Sequence, residues 1–267
     1  MTPAPSWFSS LGHTGRAPLR WLAGWGRIVW FGAMMLALAL SPSSYGRDTR
    51  HALSRHIYVD TAPILWGFTL LCALLTLVIT RIVTVTAFSY GLSQYALEMV
   101  IRVLVLELIP LTAALFVALR CTIPNGAALS EMRRNGHFDA VRRQGRDPVL
   151  AEVLPRMLAG MFSTITLAAL SCAVAIVLAY LAVYGLTVAG LPAYTRMFGH
   201  VFNPAVTMIF VLKTAFFSMA AAAIPMASGL YDVEGDGSRE SAALQGLVRM
   251  FAVLLVLEAV SLVGNYY

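Results

Sequence analysis

Long apolar stretches, separated by short polar segments, dominate this 267-residue chain. Positions 61–80 carry no charged residue, and positions 157–195 carry none over almost twice that length. A helix that crosses a membrane needs about 20 predominantly apolar residues. The longer stretch exceeds one straight span and contains Gly185, Gly190 and Pro192, which are typical of helix ends. The pattern therefore predicts five spans, at about 60–82, 93–120, 154–184, 203–229 and 243–264.

The first 56 positions have a different pattern, in which tryptophans and arginines alternate with apolar residues. Such a mixture is typical of a helix in the headgroup region of a membrane. The apolar stretch 28–40 is too short to span easily, so we predict an elbow helix there. A signal peptide is the alternative, but the 27 residues that precede the stretch, with three tryptophans, disfavour it. We divide the chain into interfacial and elbow helices, 1–56, and a five-span domain, 57–267.

Composition and charge support a membrane protein and predict its orientation. Hydrophobic residues make up 59% of the chain and charged residues 12%, about half the charged share of a soluble domain. Arginines concentrate before the first predicted span and between the second and third, whereas the alternate loops hold only Arg81 and Arg196. The positive-inside rule therefore predicts a cytoplasmic N-terminus and an external C-terminus. It also explains the basic charge more simply than nucleic-acid binding does.

The polar segment 125–148, between the second and third predicted spans, is expected to form two short helices. Gly136 separates them, and Gly145 is the expected end of the second, which begins at His137. Asp147 and Pro148 have the order of an N-cap and a first helical residue, which predicts that the next helix begins there.

An apolar pair lies on the second of these short helices. Phe138 and Val141 are three positions apart and share one helix face, with arginines around them. One interpretation is an apolar knob that docks into a soluble partner on the cytoplasmic side. The alternative is a solvated loop that its arginines keep in the cytoplasm.

Three charged residues interrupt the apolar spans: Glu107, Lys213 and Glu258. A charge in hydrocarbon is costly unless it is paired or faces water, so such residues mark a pathway or a paired interior. In the second span, Glu98 and Arg102 are four apart and can pair. Glu107 is rotated from Arg102 by about 140° and cannot easily join that pair.

Two interpretations of Glu107 follow from its neighbours. Pro110 deprives the carbonyl group of Leu106 of its usual backbone donor, so Glu107 would lie beside a locally opened helix in a lipid-lined cavity. Alternatively, Glu107 forms a buried pair with Lys213 of the fourth span, which holds the bundle together. The sequence alone leaves both open.

Signatures of catalysis are missing from the chain. It contains no phosphate-binding loop, no nucleophile elbow and no zinc-binding pair of histidines in the spacing H-E-x-x-H. Cys72, Cys121 and Cys172 are scattered, without the spacing of a zinc site or a disulfide framework. We therefore expect no enzymatic activity, no metal and no cofactor in this chain.

The ordered set of these motifs resembles the MlaE/YrbE family, the permease subunits of Mce-associated ABC transporters that move phospholipid in diderm envelopes. The similar stretches run along almost the whole chain. They are SLGHTG at 10–15, ELIPLTAAL at 107–115 followed by Arg120, Met132-Arg133, Phe138-Asp139-Ala140, Asp147-Pro148, Pro155-Arg156, Lys213-Thr214 and Glu258.

Several positions depart from the family pattern. Leu106 occupies the place of the family's arginine, and Ile109 that of the glycine before the proline. Asn135, Gly136 and His137 replace the T-E-Q of its coupling segment, so the usual coupling carboxylate is missing. The departures suggest a diverged paralogue that has a dedicated ATPase or pairs with a different permease copy.

The resemblance implies an all-α polytopic permease, with an elbow helix, five transmembrane helices and a cytoplasmic coupling helix. It implies a homodimer in the bacterial inner membrane, with a periplasmic C-terminus, and a role in outer-membrane lipid asymmetry. Cytoplasmic ATPase subunits would hold ATP and magnesium, and a periplasmic Mce-domain protein would exchange phospholipid with the permease. The expected lipid pathway comprises Glu98, Arg102, Glu107, Pro110 and Lys213. The expected ATPase-coupling residues are Arg133, Phe138, Asp139, Val141, Asp147 and Pro148.

Two other functions fit parts of this pattern. A non-transporting scaffold of a lipid-transfer complex would explain the lost coupling residues. An intramembrane lipid-modifying enzyme would use Glu107 with a histidine, but no histidine lies within a predicted span.

Overall fold

The computed structural model describes residues 17–231 and 239–266, and these residues form helices joined by turns, with no strand among them. The predicted motif at 10–15 lies outside the described residues. We number the α-helices α1 to α8. They are α1 (Ala17–Leu40), α2 (Arg47–Ser89), α3 (Ser93–Val100 to Ile123–Arg134, one continuous run), α4 (His137–Arg143), α5 (Val149–Val153 and Leu154–Tyr184), α6 (Leu191–Val201), α7 (Pro204–Tyr231) and α8 (Arg239–Tyr266).

The prediction of an all-α polytopic membrane protein is confirmed. Within the described residues, five helices are long and apolar enough to cross a membrane: Arg47–Ser89, Tyr95–Arg134, Val149–Tyr184, Pro204–Tyr231 and Ala243–Asn265. The boundaries of the first two differ from the prediction. α2 begins well before position 60, and α3 continues past position 120. The first of the two short helices predicted within 125–148 is therefore the last part of α3 and not a separate element.

The predicted elbow is one helix, whose apolar part, Gly24–Leu40, is shorter than a membrane span. Its buried face carries Ile28, Phe31 and Met35. Its opposite face exposes Val29 and Trp30, at 67% and 71% of their surface. Because apolar residues cover both faces, α1 is suited to lie between the bundle and an apolar environment.

α3 is the central helix of the bundle. In the most apolar part of each span, 61% of the residues of α3 are buried, compared with 22% for α2 and for α8. α2 packs along α5, and α8 packs along α7, on the two sides of α3. The outer helices therefore expose apolar side chains, such as Trp66 and Leu70 of α2, as expected for helices that face lipid.

α3 and α7 cross at a contact between small residues. A Cβ atom on Gly229 would lie 2.6 Å from the backbone oxygen of Gly126, and one on Gly126 would lie 2.8 Å from that of Pro225. Near this crossing, the hydroxyl group of Thr122 donates a hydrogen bond to the carbonyl oxygen of Ala221 at 2.6 Å. Small residues permit such close backbone approach between membrane helices.

The turns around α4 agree with the sequence prediction. Gly136 and Gly145 adopt left-handed backbone angles, with φ of 71° and 74°, immediately before α4 and two residues after its end. The backbone amide of Val149 donates to the carboxylate of Asp147 at 2.9 Å, so Asp147 satisfies an amide group at the start of α5. We call the ends of α3, α5 and α7 that surround α4 the arginine-rich end of the bundle.

Candidate functional site

Three charged residues of the spans meet in one place, which we call the charge cluster: Glu107 of α3, Lys213 of α7 and Glu258 of α8. The ammonium group of Lys213 contacts Oε2 of Glu107 and lies 2.8 Å from Oε2 of Glu258. Only 2% of the Lys213 side chain is exposed, with 11% for Glu107 and 14% for Glu258. Two carboxyl groups thus share one ammonium group, away from the protein surface.

The local shape of α3 explains why Lys213 fits there. Residues Ile101–Leu108 form a π-helix, a widened turn that is frequent at functional sites. Pro110 has no amide hydrogen to donate to the carbonyl oxygen of Leu106. Lys213 donates to that oxygen at 3.2 Å. One ammonium group therefore satisfies a backbone acceptor that Pro110 leaves free, as well as a carboxylate on each side.

Of the two interpretations of Glu107, the structure shows the buried pair with Lys213. The side chain of Glu107 is 11% exposed, and its carboxylate contacts the ammonium group of Lys213. Asn265 donates to Oε1 of Glu107 at 3.3 Å. The sequence analysis missed Asn265, although its position seven residues after Glu258 places both on one face of α8.

The predicted pair of Glu98 and Arg102 forms at the beginning of α3, with 3.0 Å between Nε and Oε1. Both side chains are partly exposed, at 28% and 22%. The pair lies one to two helical turns from Glu107 and is separate from the charge cluster. The five predicted pathway residues therefore divide into a buried group (Glu107, Pro110 and Lys213) and a partly exposed pair.

The face of α7 opposite to Lys213 forms an open apolar groove of about 730 Å³. Val211 and Lys213 lie about 200° apart around the helix axis, and Val211 is 59% exposed whereas Lys213 is buried. We call this surface the α7 groove; its lining residues are Phe202, Pro204, Thr207, Met208, Val211, Leu212 and Ala215. α7 thus carries a charged inner face and an apolar outer face at the same height.

The predicted coupling residues lie together at the arginine-rich end. The prediction that Val141 belongs to an exposed apolar knob is wrong. Val141 is 7% exposed and Pro148 is also buried, so both pack within the chain. Phe138 is half-buried and packs against the central core. Asp139 and Asp147 are exposed. The polar surface of α4, and not its apolar pair, is what the protomer offers to solvent.

Two arginines fix this end of the bundle to neighbouring helices. Arg133 donates to the carbonyl oxygen of Leu230 at 2.7 Å, which joins the end of α3 to the end of α7. Arg146 lies 3.0 Å from the carboxylate of Asp48, which joins the turn after α4 to the beginning of α2. The turn after α4 is therefore linked to α2, and the end of α3 to the end of α7.

In the described part of the chain, no group of three or more His, Cys, Asp or Glu side chains could hold a metal ion. The described cysteines are all free and buried.

A family model described as Permease MlaE matches residues 53–263. A comparison with curated proteins finds no match.

Proposed function

Because the chain belongs to the MlaE permease family, we propose that it is the phospholipid-conducting subunit of an ABC transporter and works as a homodimer in the bacterial inner membrane. A separate ATPase would bind the arginine-rich end in the cytoplasm and would hold ATP and magnesium. A periplasmic Mce-domain carrier would meet the opposite end, where the C-terminus lies. The family match supports the class of transporter, and the partners are part of the proposal.

The α7 groove is the observation that supports a lipid pathway. Its seven residues include no charged side chain, and Met208, Val211 and Leu212 each expose more than half of their surface. A surface of this kind needs an apolar neighbour, either lipid or a second copy. In the proposed dimer, the groove of each copy would form one wall of a lipid cavity.

The charge cluster would act on this pathway by positioning α7. Lys213 ties α7 to α3 and to α8, directly behind the groove. Glu107, Pro110 and Lys213 thus support the cavity wall from within the protomer. Glu98 and Arg102 lie near the end of α3 that is remote from α4, where a lipid headgroup would leave toward the carrier.

α4 would transmit the state of the ATPase. Its buried residue Val141 and its half-buried residue Phe138 pack against the bundle, so force on its polar surface would reach α5 and α7. Arg133, Asp139, Asp147 and Pro148 would hold the segment in place or contact the ATPase. ATP-driven motion would then open and close the cavity between the two copies.

A substitution that fills the groove tests this proposal. We expect Val211→Trp to reduce ATP-dependent transfer of labelled phospholipid from proteoliposomes that contain the permease, its ATPase and its carrier. Leu74→Trp on α2 is the matched control, because Leu74 is 55% exposed and Val211 59%. Equal transfer by the two variants would contradict the pathway. A complex that assembles but never transfers lipid would favour the scaffold.

A further inference from the structure

A second cavity lies at the arginine-rich end, between α1 and α4. It measures about 430 Å³, within the range of roughly 300–1,000 Å³ typical of ligand pockets. We call it the α4 cavity. Its lining residues are Phe31, Met34, Met35, Arg133, Phe138, Asp139, Arg142, Val149, Val153, Leu230 and Tyr231. It is separate from the charge cluster, because Tyr231 lies 18 residues beyond Lys213 on α7, or about 27 Å at 1.5 Å per residue.

The α4 cavity has an apolar floor and a charged rim. Phe31, Met35 and Val153 are each 1% exposed and form its inner wall. Arg142 and Asp139 stand at its mouth on α4, and both are exposed. Neither of them forms an ion pair within the residues that the structure describes. The rim therefore offers a cation and a carboxylate that the described chain does not neutralise.

The position of the cavity relative to α1 indicates from where a ligand would enter. Trp30 is 71% exposed on the outer face of α1, while Phe31 and Met34 of the same helix line the cavity. An interfacial helix places such a face among the lipid chains. With α1 in that position, the apolar floor would be one helix away from the bilayer, and the charged rim would lie at the level of the headgroups.

We propose that the α4 cavity binds one phospholipid that has an amine-bearing headgroup. One acyl chain lies against Phe31, Met35 and Val153. The phosphate group accepts hydrogen bonds from Arg142, a geometry that suits the planar guanidinium group. The ammonium group of the headgroup pairs with Asp139. This site is distinct from the α7 groove, and its rim residue Asp139 belongs to the segment that we propose to contact the ATPase.

The charges on the rim favour this occupant over a soluble protein. A protein partner at this end can reach the exposed rim, but the buried floor requires a narrow apolar group to fill it. Arg133, the other arginine of the lining, already donates to the carbonyl oxygen of Leu230. A headgroup with one phosphate and one ammonium group then complements Arg142 and Asp139, whereas a headgroup without an amine leaves Asp139 unpaired. Because α4 forms one wall, the bound lipid would stabilise the position of α4.

Photo-crosslinking in phosphatidylglycerol nanodiscs, whose bulk lipid has no amine, tests the proposal with the full-length chain. The probes are phosphatidylethanolamine and phosphatidylglycerol, each with a diazirine in one acyl chain. We expect the phosphatidylethanolamine probe to label peptides that contain Met34, Met35 or Phe138. Arg142→Gln should reduce this labelling about tenfold, which is equivalent to about 1.4 kcal/mol. Arg143→Gln is the matched control, since Arg143 is exposed on the same helix but does not line the cavity.

Two further variants separate the parts of the site. Met34→Trp should fill the cavity and reduce labelling by both probes, while the protein still elutes as a folded species. Asp139→Asn should raise labelling by phosphatidylglycerol relative to phosphatidylethanolamine. Glycerophosphoethanolamine, which has no acyl chain, should displace little of the probe.

Several results would overturn the proposal. If Arg142→Gln and Arg143→Gln are labelled equally, the probe reacts from ordinary lipid at the protein surface and not from the cavity. The same conclusion follows if Met34→Trp leaves the labelling unchanged. An unchanged ratio in Asp139→Asn would refute the role of the carboxylate. Full displacement by glycerophosphoethanolamine would assign the site to a soluble phosphate compound. Loss of all labelling when the ATPase binds would assign the cavity to that protein.

Discussion

The charge cluster and the α4 cavity place similar chemical groups in opposite surroundings. In the cluster, Lys213 is 2% exposed and contacts two carboxyl groups of its own chain. At the cavity rim, Arg142 and Asp139 are exposed and form no ion pair within the described residues. Buried charges that lose a partner are costly, whereas exposed ones contribute little to stability. The cluster is therefore suited to hold the helices together, and the rim to bind another molecule.

The largest effect is expected when the cluster loses its only cation. Lys213→Met leaves two buried carboxyl groups without a cation, which should lower the free energy of unfolding by about 3–5 kcal/mol. Thermal unfolding in detergent, followed by circular dichroism, measures this loss. Addition of Glu107→Gln and Glu258→Gln should recover much of it, because a neutral cluster has no unpaired charge. No recovery in the triple variant would contradict the electrostatic explanation.

The next effect is expected at the crossing of α3 and α7. In Gly229→Ala, the new methyl group would lie 2.6 Å from the backbone oxygen of Gly126, so the helices must separate, at about 1–3 kcal/mol. Since Leu230 and Tyr231 follow directly and line the α4 cavity, labelling there should change too. Gly67→Ala is the control, because a Cβ atom at Gly67 would meet nothing within 4 Å. Equal unfolding temperatures for Gly229→Ala and Gly67→Ala would refute the close contact between α3 and α7.

Removal of one carboxyl group from the cluster should have a smaller effect. In Glu258→Gln, Lys213 keeps Glu107 and the carbonyl oxygen of Leu106 as partners. The loss should stay near about 1 kcal/mol, typical of one hydrogen bond. Unfolding of Glu258→Gln and Lys213→Met in the same detergent compares the two. If Glu258→Gln is as unstable as Lys213→Met, the ammonium group depends on both carboxyl groups.

The smallest effect is expected from the partly exposed pair at the start of α3. Arg102→Gln removes its ion pair with Glu98, an i,i+4 pair whose side chains are 22% and 28% exposed. Such pairs contribute about 0.3–0.5 kcal/mol. The shift in unfolding temperature should therefore be close to the error of the measurement. A loss that approaches that of Lys213→Met would show that burial does not distinguish the two regions.

The sequence predicted most of the fold, because membrane spans follow from the length and composition of apolar stretches. The five spans, the turns at Gly136 and Gly145 and the cap at Asp147 needed only local information. The predicted length of α3 was wrong, because Pro124, Asn125 and Gly126 are typical of a turn, yet the helix continues through them to Arg134. The sequence proposed the pair of Glu107 and Lys213 as one of two alternatives, and the structure selects it.

What the sequence missed depends on how the helices are rotated against each other. The contact of Asn265 with Glu107 and that of Gly126 with Gly229 each join helices that are far apart in the chain. The apolar face of α4 was visible in the sequence, but not the element that covers it. For this reason Val141 was assigned to an exposed knob, although it packs within the chain. The α4 cavity arises in the same way, from five separate segments.

Cysteine labelling across the membrane tests the central claim, that the arginine-rich end lies in the cytoplasm and the start of α7 on the other side. Arg143→Cys and Arg196→Cys place single exposed thiols at the two ends, and the native cysteines are buried. With an impermeant maleimide on spheroplasts, Arg196→Cys should react at once, and Arg143→Cys only after permeabilisation. The reverse pattern would contradict the ATPase contact.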